Sequence, residues 1–180
     1  MRHCTLILIL CVLLLGCVSK GDKETINEVT GKKYFEYDNI DYYFNDFDED
    51  KISELFDKQS YSELDSLKMG VILGKIPRDL SDLTFIDKLE TIGYTKKKVN
   101  KSKFKRIDEV FTEKTVDEII VTPCIYIYRD ILIFKKGDNV VGIAKICFDC
   151  WAHEIVGTAS STDNFGQDGD YDRLLKLIRK

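Results

Sequence analysis

The chain has 180 residues, 44% of them hydrophobic, and sets 27 Lys+Arg against 31 Asp+Glu for a formal net charge of −4. So mild an acidic balance argues against nucleic acid as a global partner. The length suits one domain with a real core.

The first segment, MRHCTLILILCVLLLGCVSKGDKE, places Arg2 before an unbroken apolar run from Leu6 to Leu15. That run is shorter than the ~20 residues a membrane-spanning helix needs, and it has the length of a signal-peptide core. Its end, Leu14-Leu15-Gly16-Cys17, resembles the lipobox of bacterial lipoproteins. The resemblance implies removal of residues 1–16 and attachment of lipid, palmitate included, to Cys17. The mature chain would then be exported, where disulfides are permitted, and held to a membrane by acyl chains. Cys4 and Cys11 leave with the leader and Cys17 carries lipid, so Cys124, Cys147 and Cys150 remain for chemistry.

Residues 17–33 are polar and read as a lipid-anchored tether, followed by a single domain over 34–180. The domain opens with seven aromatics between Tyr34 and Phe47, which favour extended structure, with Asp38-Asn39 as a possible turn. The same region holds an acidic run: Glu36 to Asp50 has seven acidic residues and no basic one. Asp48 can cap a helix reaching Lys58, with Ile52, Leu55 and Phe56 on one side. Ser60-Tyr61-Ser62-Glu63 has the form of a capping box before Leu64, Leu67 and Val71. A third helix is expected from Ser81 or Asp82, with Phe85, Ile86, Leu89 and Ile92 inward and Gly93 as its stop. A fourth starts at Ser102 and carries Phe104, Ile107, Val110 and Phe111. It overlaps a basic run, Lys96 to Arg106, with seven basic residues and no acidic one. Solvated faces are the plain reading of both charge runs. The sharper readings are an acidic partner or lipid headgroups near Lys96-Lys97-Lys98.

The pattern then turns to β. Ile119 to Phe134, the turn Lys135 to Asn139 and Val140 to Phe148 form the best hairpin in the sequence, apolar on both faces. His153 to Thr158 is a candidate next strand, and a last helix runs from about Tyr171 with Asp170 as its N-cap. The expected architecture is α+β: helices in the first half, a small antiparallel β-meander in the second, and a C-terminal helix packed on it. The stretch YRDILIFKKGDNVVGIAKICFDC, with NFGQDGDY and the terminal leucine-rich helix, resembles a group of uncharacterised bacterial lipoproteins whose hairpin ends in an I-C-F-x-C motif. The likeness covers roughly residues 85–180 and implies an export route, without naming an activity.

The cysteines admit three readings. Cys124, Cys147, Cys150 and His153 have the ligand types of a zinc site, but thiols in an oxidising compartment tend to pair first. A redox C-x-x-C belongs at a helix N-terminus, whereas Cys147-x2-Cys150 falls at a strand end. The third reading is a structural disulfide. A hairpin centred on Gly137 sets Cys124 opposite Cys150, within bridging range, and leaves Cys147 as a buried free thiol. A Cys147–Cys150 bridge across a local kink is the alternative.

Other constellations are weaker. Asp46-x-Asp48-x-Asp50 has the opening of a calcium loop, but Lys51 stands where the turn glycine belongs and Asp57 where a glutamate does. Asp168, Asp170 and Asp172 suit a helix cap better than a cation. No nucleophile elbow surrounds Ser160-Ser161, and there is no phosphate-binding glycine loop. No catalytic set and no cofactor are therefore expected. The sequence points to a lipid-anchored, non-enzymatic binding or interaction module of the bacterial cell envelope. If the cell is Gram-negative, it sits on the outer membrane, on its periplasmic or surface face. Its partners are the membrane, through Cys17, and an envelope protein or ligand. The alternative is a thiol-redox or zinc-binding envelope protein that uses the Cys147 and Cys150 pair.

Overall fold

The computed structural model describes residues 31–116 and 123–179. The leader, Cys17 and the tether up to residue 30 lie outside them, as does 117–122 near the start of the expected long strand. The architecture is α+β: five strands, β1 (Asn39–Phe44), β2 (Thr95–Lys98), β3 (Asp130–Lys136), β4 (Asn139–Cys147) and β5 (Ala152–Val156), with four α-helices, α1 (Glu49–Phe56), α2 (Glu63–Ile72), α3 (Phe104–Val110) and α4 (Asp170–Arg179). The strands form one antiparallel sheet in the order β2-β1-β3-β4-β5.

The second-half strands make the expected meander, and the first half adds two more. β1 is the aromatic stretch, and it alternates: Ile40 and Tyr42 face one core, Tyr43 the other. β2 is Thr95-Lys96-Lys97-Lys98, every residue exposed. It lacks an apolar period and therefore a strand signal. Its backbone pairs with β1 from Asp41↔Lys98 to Phe44↔Thr95, and Asp41 draws Lys96 in at 3.0 Å.

Both faces of the sheet are covered, as the doubly apolar hairpin implies. Along β3, Leu132 and Phe134 point to α3 and α4, while Ile131 and Ile133 point to α1 and α2. All four are fully buried, and at ~1.5–3 kcal/mol each this strand anchors the domain. The α3–α4 face is aromatic. Phe35 lies 4.6 Å from Phe134 between ring centroids, and Phe111 lies 4.8 Å from Phe134 and 4.9 Å from Phe165. Gly142, opposite Phe134 in the ladder, sits beneath the Phe35 ring, and a Cβ there would collide with it.

Four expectations need correction at their ends. Ile119, the expected start of the long strand, lies outside the described residues; within them the strand begins at Asp130, because Tyr128 gives its N–H to Ile72 O of α2 at 2.9 Å instead of to the ladder. The capping box belongs to Ser62 and Asp65, two residues beyond Ser60: the Ser62 hydroxyl accepts from Asp65 N at 3.1 Å and the Asp65 carboxylate accepts from Ser62 N at 3.2 Å. The helix expected from Ser81 is a single 3-10 turn, Thr84–Lys88, that still buries Phe85 and Leu89. Asp170 is the first residue of α4 and not its cap; its buried carboxylate takes Lys114 and Arg173.

Candidate functional site: an apolar groove walled by cysteines

β4 ends at Cys147, and the chain reverses through Phe148–Trp151 before β5, with Trp151 at φ 48°. Cys150 is on this turn and reaches Cys124, at disulfide-bonding distance between sulfurs and 6.0 Å between Cα atoms. The ladder does not bring them together. Its Asp130↔Ile146 register, carried onward, would set Cys124 against Ala152, but pairing stops at Asp130 and Cys124 lies in irregular chain. The turn that interrupts the expected straight strand makes the approach. Cys147 is free, buried, and packed with Cys150 and Tyr128.

These cysteines form one wall of a groove of about 490 Å³, a size typical of small-ligand sites, which span ~300–1,000 Å³. Across from them, α1 supplies Ile52, Ser53 and Phe56; Ile125 and Ile127 complete the apolar lining. Phe56 is 38% exposed and Ile125 74%, so two large apolar side chains stand at the mouth without cover. One charged pair crosses the lining. Arg129 Nη1 donates to Asp149 Oδ2 at 2.5 Å and Nη2 to Phe47 O at 3.4 Å. The arginine side chain is 15% exposed and the aspartate 74%. The cation lies within the wall, and its carboxylate partner stands in solvent.

Asp48 serves as the N-cap of α1, accepting from Asp50 N at 3.0 Å. Its Asp46-Asp48-Asp50 cluster therefore organises the helix that forms one side of the groove.

His153 lies elsewhere. On β5 it pairs with Ile146 and packs against Phe165, on the α4 face. Its Nε2 is 3.0 Å from Thr162 O and its Nδ1 is 2.9 Å from Tyr171 OH. A carbonyl can only accept, so Nε2 carries the proton and Nδ1 accepts from the tyrosine in the neutral ring. Burial holds the imidazole pKa below its usual value. The four-ligand zinc arrangement is thus not assembled. Among the described residues no group of three or more His, Cys, Asp or Glu side chains is gathered to hold a metal. The C-x-x-C pair spans a hairpin turn and not a helix N-terminus, so it lacks the dipole that activates redox thiols.

Two charged groups near this wall escaped the sequence reading. Arg129 is one; its signal was a basic–acidic dipeptide, Arg129-Asp130, interrupting an apolar run. Lys145 is the other. It is 1% exposed, donates from Nζ to Ile76 O at 2.9 Å, and lies 5.4 Å from the Tyr128 ring centroid. Burial lowers its pKa to about 8. Compared with family models, curated proteins and solved structures, the chain matches none.

Proposed function

We propose that this chain is a lipid-anchored protein of the bacterial cell envelope that acts as a binding module through the cysteine-walled groove. The leader ending in Leu14-Leu15-Gly16-Cys17 supports the location. The observation that carries the binding reading is the groove itself: apolar lining, Phe56 and Ile125 uncovered at its mouth, and one polar pair to orient what enters. Small-molecule sites have this composition, an apolar surface with few convergent polar groups.

Two measurements test the reading. Cys17→Ser should abolish incorporation of labelled palmitate and release the chain from the membrane fraction; continued labelling would refute the anchor. A photo-crosslinking residue at Ile125 should give a discrete adduct in intact cells that Phe56→Asp removes. The same residue at Lys136, on the far hairpin turn, should give none. Identical adducts from both positions would show that the groove is not the site.

A thiol-exchange reading has one observation in its favour: Cys147 shares the groove wall with the Cys124–Cys150 pair. It requires native Cys147 to react with an alkylating reagent at a rate comparable to an exposed thiol, and burial predicts that it does not.

A further inference from the structure

We infer that the basic run between β2 and α3 is the face on which the domain rests against an anionic bilayer. The inference depends on the lipid-anchor reading above, and it adds an orientation.

Of the seven basic side chains from Lys96 to Arg106, two are engaged inside the domain. Lys96 pairs with Asp41 at 3.0 Å, and Lys103 donates to Leu177 O at 2.7 Å. Lys97, Lys98, Lys101, Lys105 and Arg106 are exposed and make no side-chain hydrogen bond or ion pair among the described residues. Among the described residues these five cations, within ten positions, have no internal partner. On α3, Asp108 is already taken by Lys33 at 2.7 Å and Tyr37 at 2.7 Å, which leaves Glu109 as the nearest acid on that helix.

The position of the tether supplies the second observation. The chain joins the domain along α3. Lys33 bridges to Thr112, Tyr34 N donates to Phe111 O at 2.9 Å, and Lys33 Nζ reaches Asp108 one turn from Lys105. The segment that leads back to Cys17 therefore meets the domain at the C-terminal end of α3, beyond Lys105 and Arg106, with Lys97, Lys98 and Lys101 toward the helix's other end. Thirteen residues separate Cys17 from Gly31. At ~3.5 Å per residue they reach at most roughly 50 Å, so an anchor at Cys17 confines the domain to the neighbourhood of the headgroups and leaves its charge to select the face.

Charge on the opposite side completes the argument. Asp46, Asp48, Asp50, Glu54 and Asp57 accompany α1, which covers the other face of the sheet. A bilayer with anionic lipid attracts the α3 side and repels the α1 side. Each basic residue held at such a surface raises partitioning roughly fivefold, and the attraction fades beyond a screening length of ~8 Å at physiological salt. Docked in this way, the groove beside α1 opens away from the membrane.

The test uses the lipidated chain, purified from membranes and reconstituted into two kinds of vesicle: phosphatidylcholine alone, and a phosphatidylglycerol–phosphatidylethanolamine mixture. Lysine acetylation is mapped by mass spectrometry. Lys97, Lys98, Lys101 and Lys105 should react several-fold more slowly on the anionic vesicles, and 0.5 M salt should restore their rates. Lys51 and Lys75, on the α1–α2 side, should react equally on both. In a Lys97→Glu, Lys101→Glu double variant, the protection of Lys98 and Lys105 should disappear. Retention on vesicles with a uniform footprint, or protection centred on Lys51 and Lys75, overturns this inference and leaves the anchor standing. Failure to stay with either vesicle overturns the anchor and the inference together.

Discussion

Between the sheet and helices α3 and α4 the packing is aromatic and the buried charges are paired, whereas between the same sheet and α1 and α2 it is mostly aliphatic and one buried charge, Lys145, has no ion-pair partner among the described residues. On the first side Asp130, fully buried, accepts from Tyr42 OH at 2.6 Å and from Arg179 Nη2 at 2.6 Å. Asp170 likewise holds Lys114 and Arg173. On the second side Asp41 takes Lys96 and Lys135, but Lys145 has a carbonyl, a ring and only the more distant charge of Glu154 across the ladder, and the cover stops short, leaving the groove. There the Cys124–Cys150 pair ties the covering chain to the sheet. One face closes by its own complementarity; the other is left open and clamped.

The largest effect should come from breaking the matched face. Asp130→Ala leaves the Tyr42 hydroxyl unpaired and takes the buried carboxylate from Arg179, whose side chain is 37% exposed, so the loss falls at the lower end of the ~3–5 kcal/mol for a broken buried ion pair. Urea unfolding should show it undiminished by reductant, since no disulfide serves that face. A loss below 1 kcal/mol would mean that the ion pair is not what closes it.

Next is the clamp. The closed loop spans a sequence separation of 26, and chain-entropy reasoning gives its removal a cost of roughly 3 kcal/mol. Cys124→Ala and Cys150→Ala should each resemble the double variant in non-reducing buffer and converge on the wild type in reductant. Cys147→Ala should cost the same in both. Non-reduced peptide mapping should join Cys124 to Cys150; a Cys147–Cys150 fragment would contradict the turn geometry.

Removing the unmatched charge should have the opposite sign. The Lys145 pKa falls from 10.5 when unfolded to about 8 when folded, so the unfolded chain binds more protons between those values. Stability then rises with pH across that window, and the full penalty applies below about pH 8. Lys145→Met removes it, at the expense of the Ile76 carbonyl's partner, for a net gain of about 1–2 kcal/mol at pH 7. The variant should also lose the rise between pH 8 and 10.5. A destabilised variant would show that the Tyr128 contact outweighs the burial penalty.

The smallest effect belongs to His153. Its folded pKa lies below the ordinary 6.5 because of burial. The unfolded state therefore binds the proton first as pH falls, and stability is lost below about pH 6.5. His153→Gln should flatten that part of the profile, and an unchanged slope would assign it to other groups.

Much of this contrast is visible in the residues, and the parts that are not have identifiable causes. Asp48 before Ile52 and Leu55 marks α1 because a cap and an apolar face are both local signals, while Phe56, expected on the same face, stands 38% exposed at the groove mouth. The hairpin around Gly137 is legible for the same reason. β2 is not, since three successive lysines carry no period and only the neighbouring backbone of β1 makes them a strand. The start of β3 depends on a hydrogen bond from Tyr128 to Ile72, which are distant in sequence. The cysteine pair expected from a straight ladder is the pair the structure sets at bonding distance, but a turn with a positive φ at Trp151 performs the approach. The groove was illegible altogether: its walls come from α1, the Cys124–Arg129 segment and the β4–β5 turn, and no local pattern announces that three such pieces leave a gap.

Strand β2 also bears on how copies of this protein treat one another. It is an outer strand, and an outer strand offers a row of N–H and C=O groups that another chain can extend into a larger sheet. Molecules confined to a surface would meet edge to edge far more often than molecules free in solution. When two β2 edges approach, Lys97 and Lys98 of each copy face like charge, with only Lys96 neutralised, by Asp41. The exposed lysines thus set like charge against like along this edge of the sheet, which disfavours its pairing with a second copy.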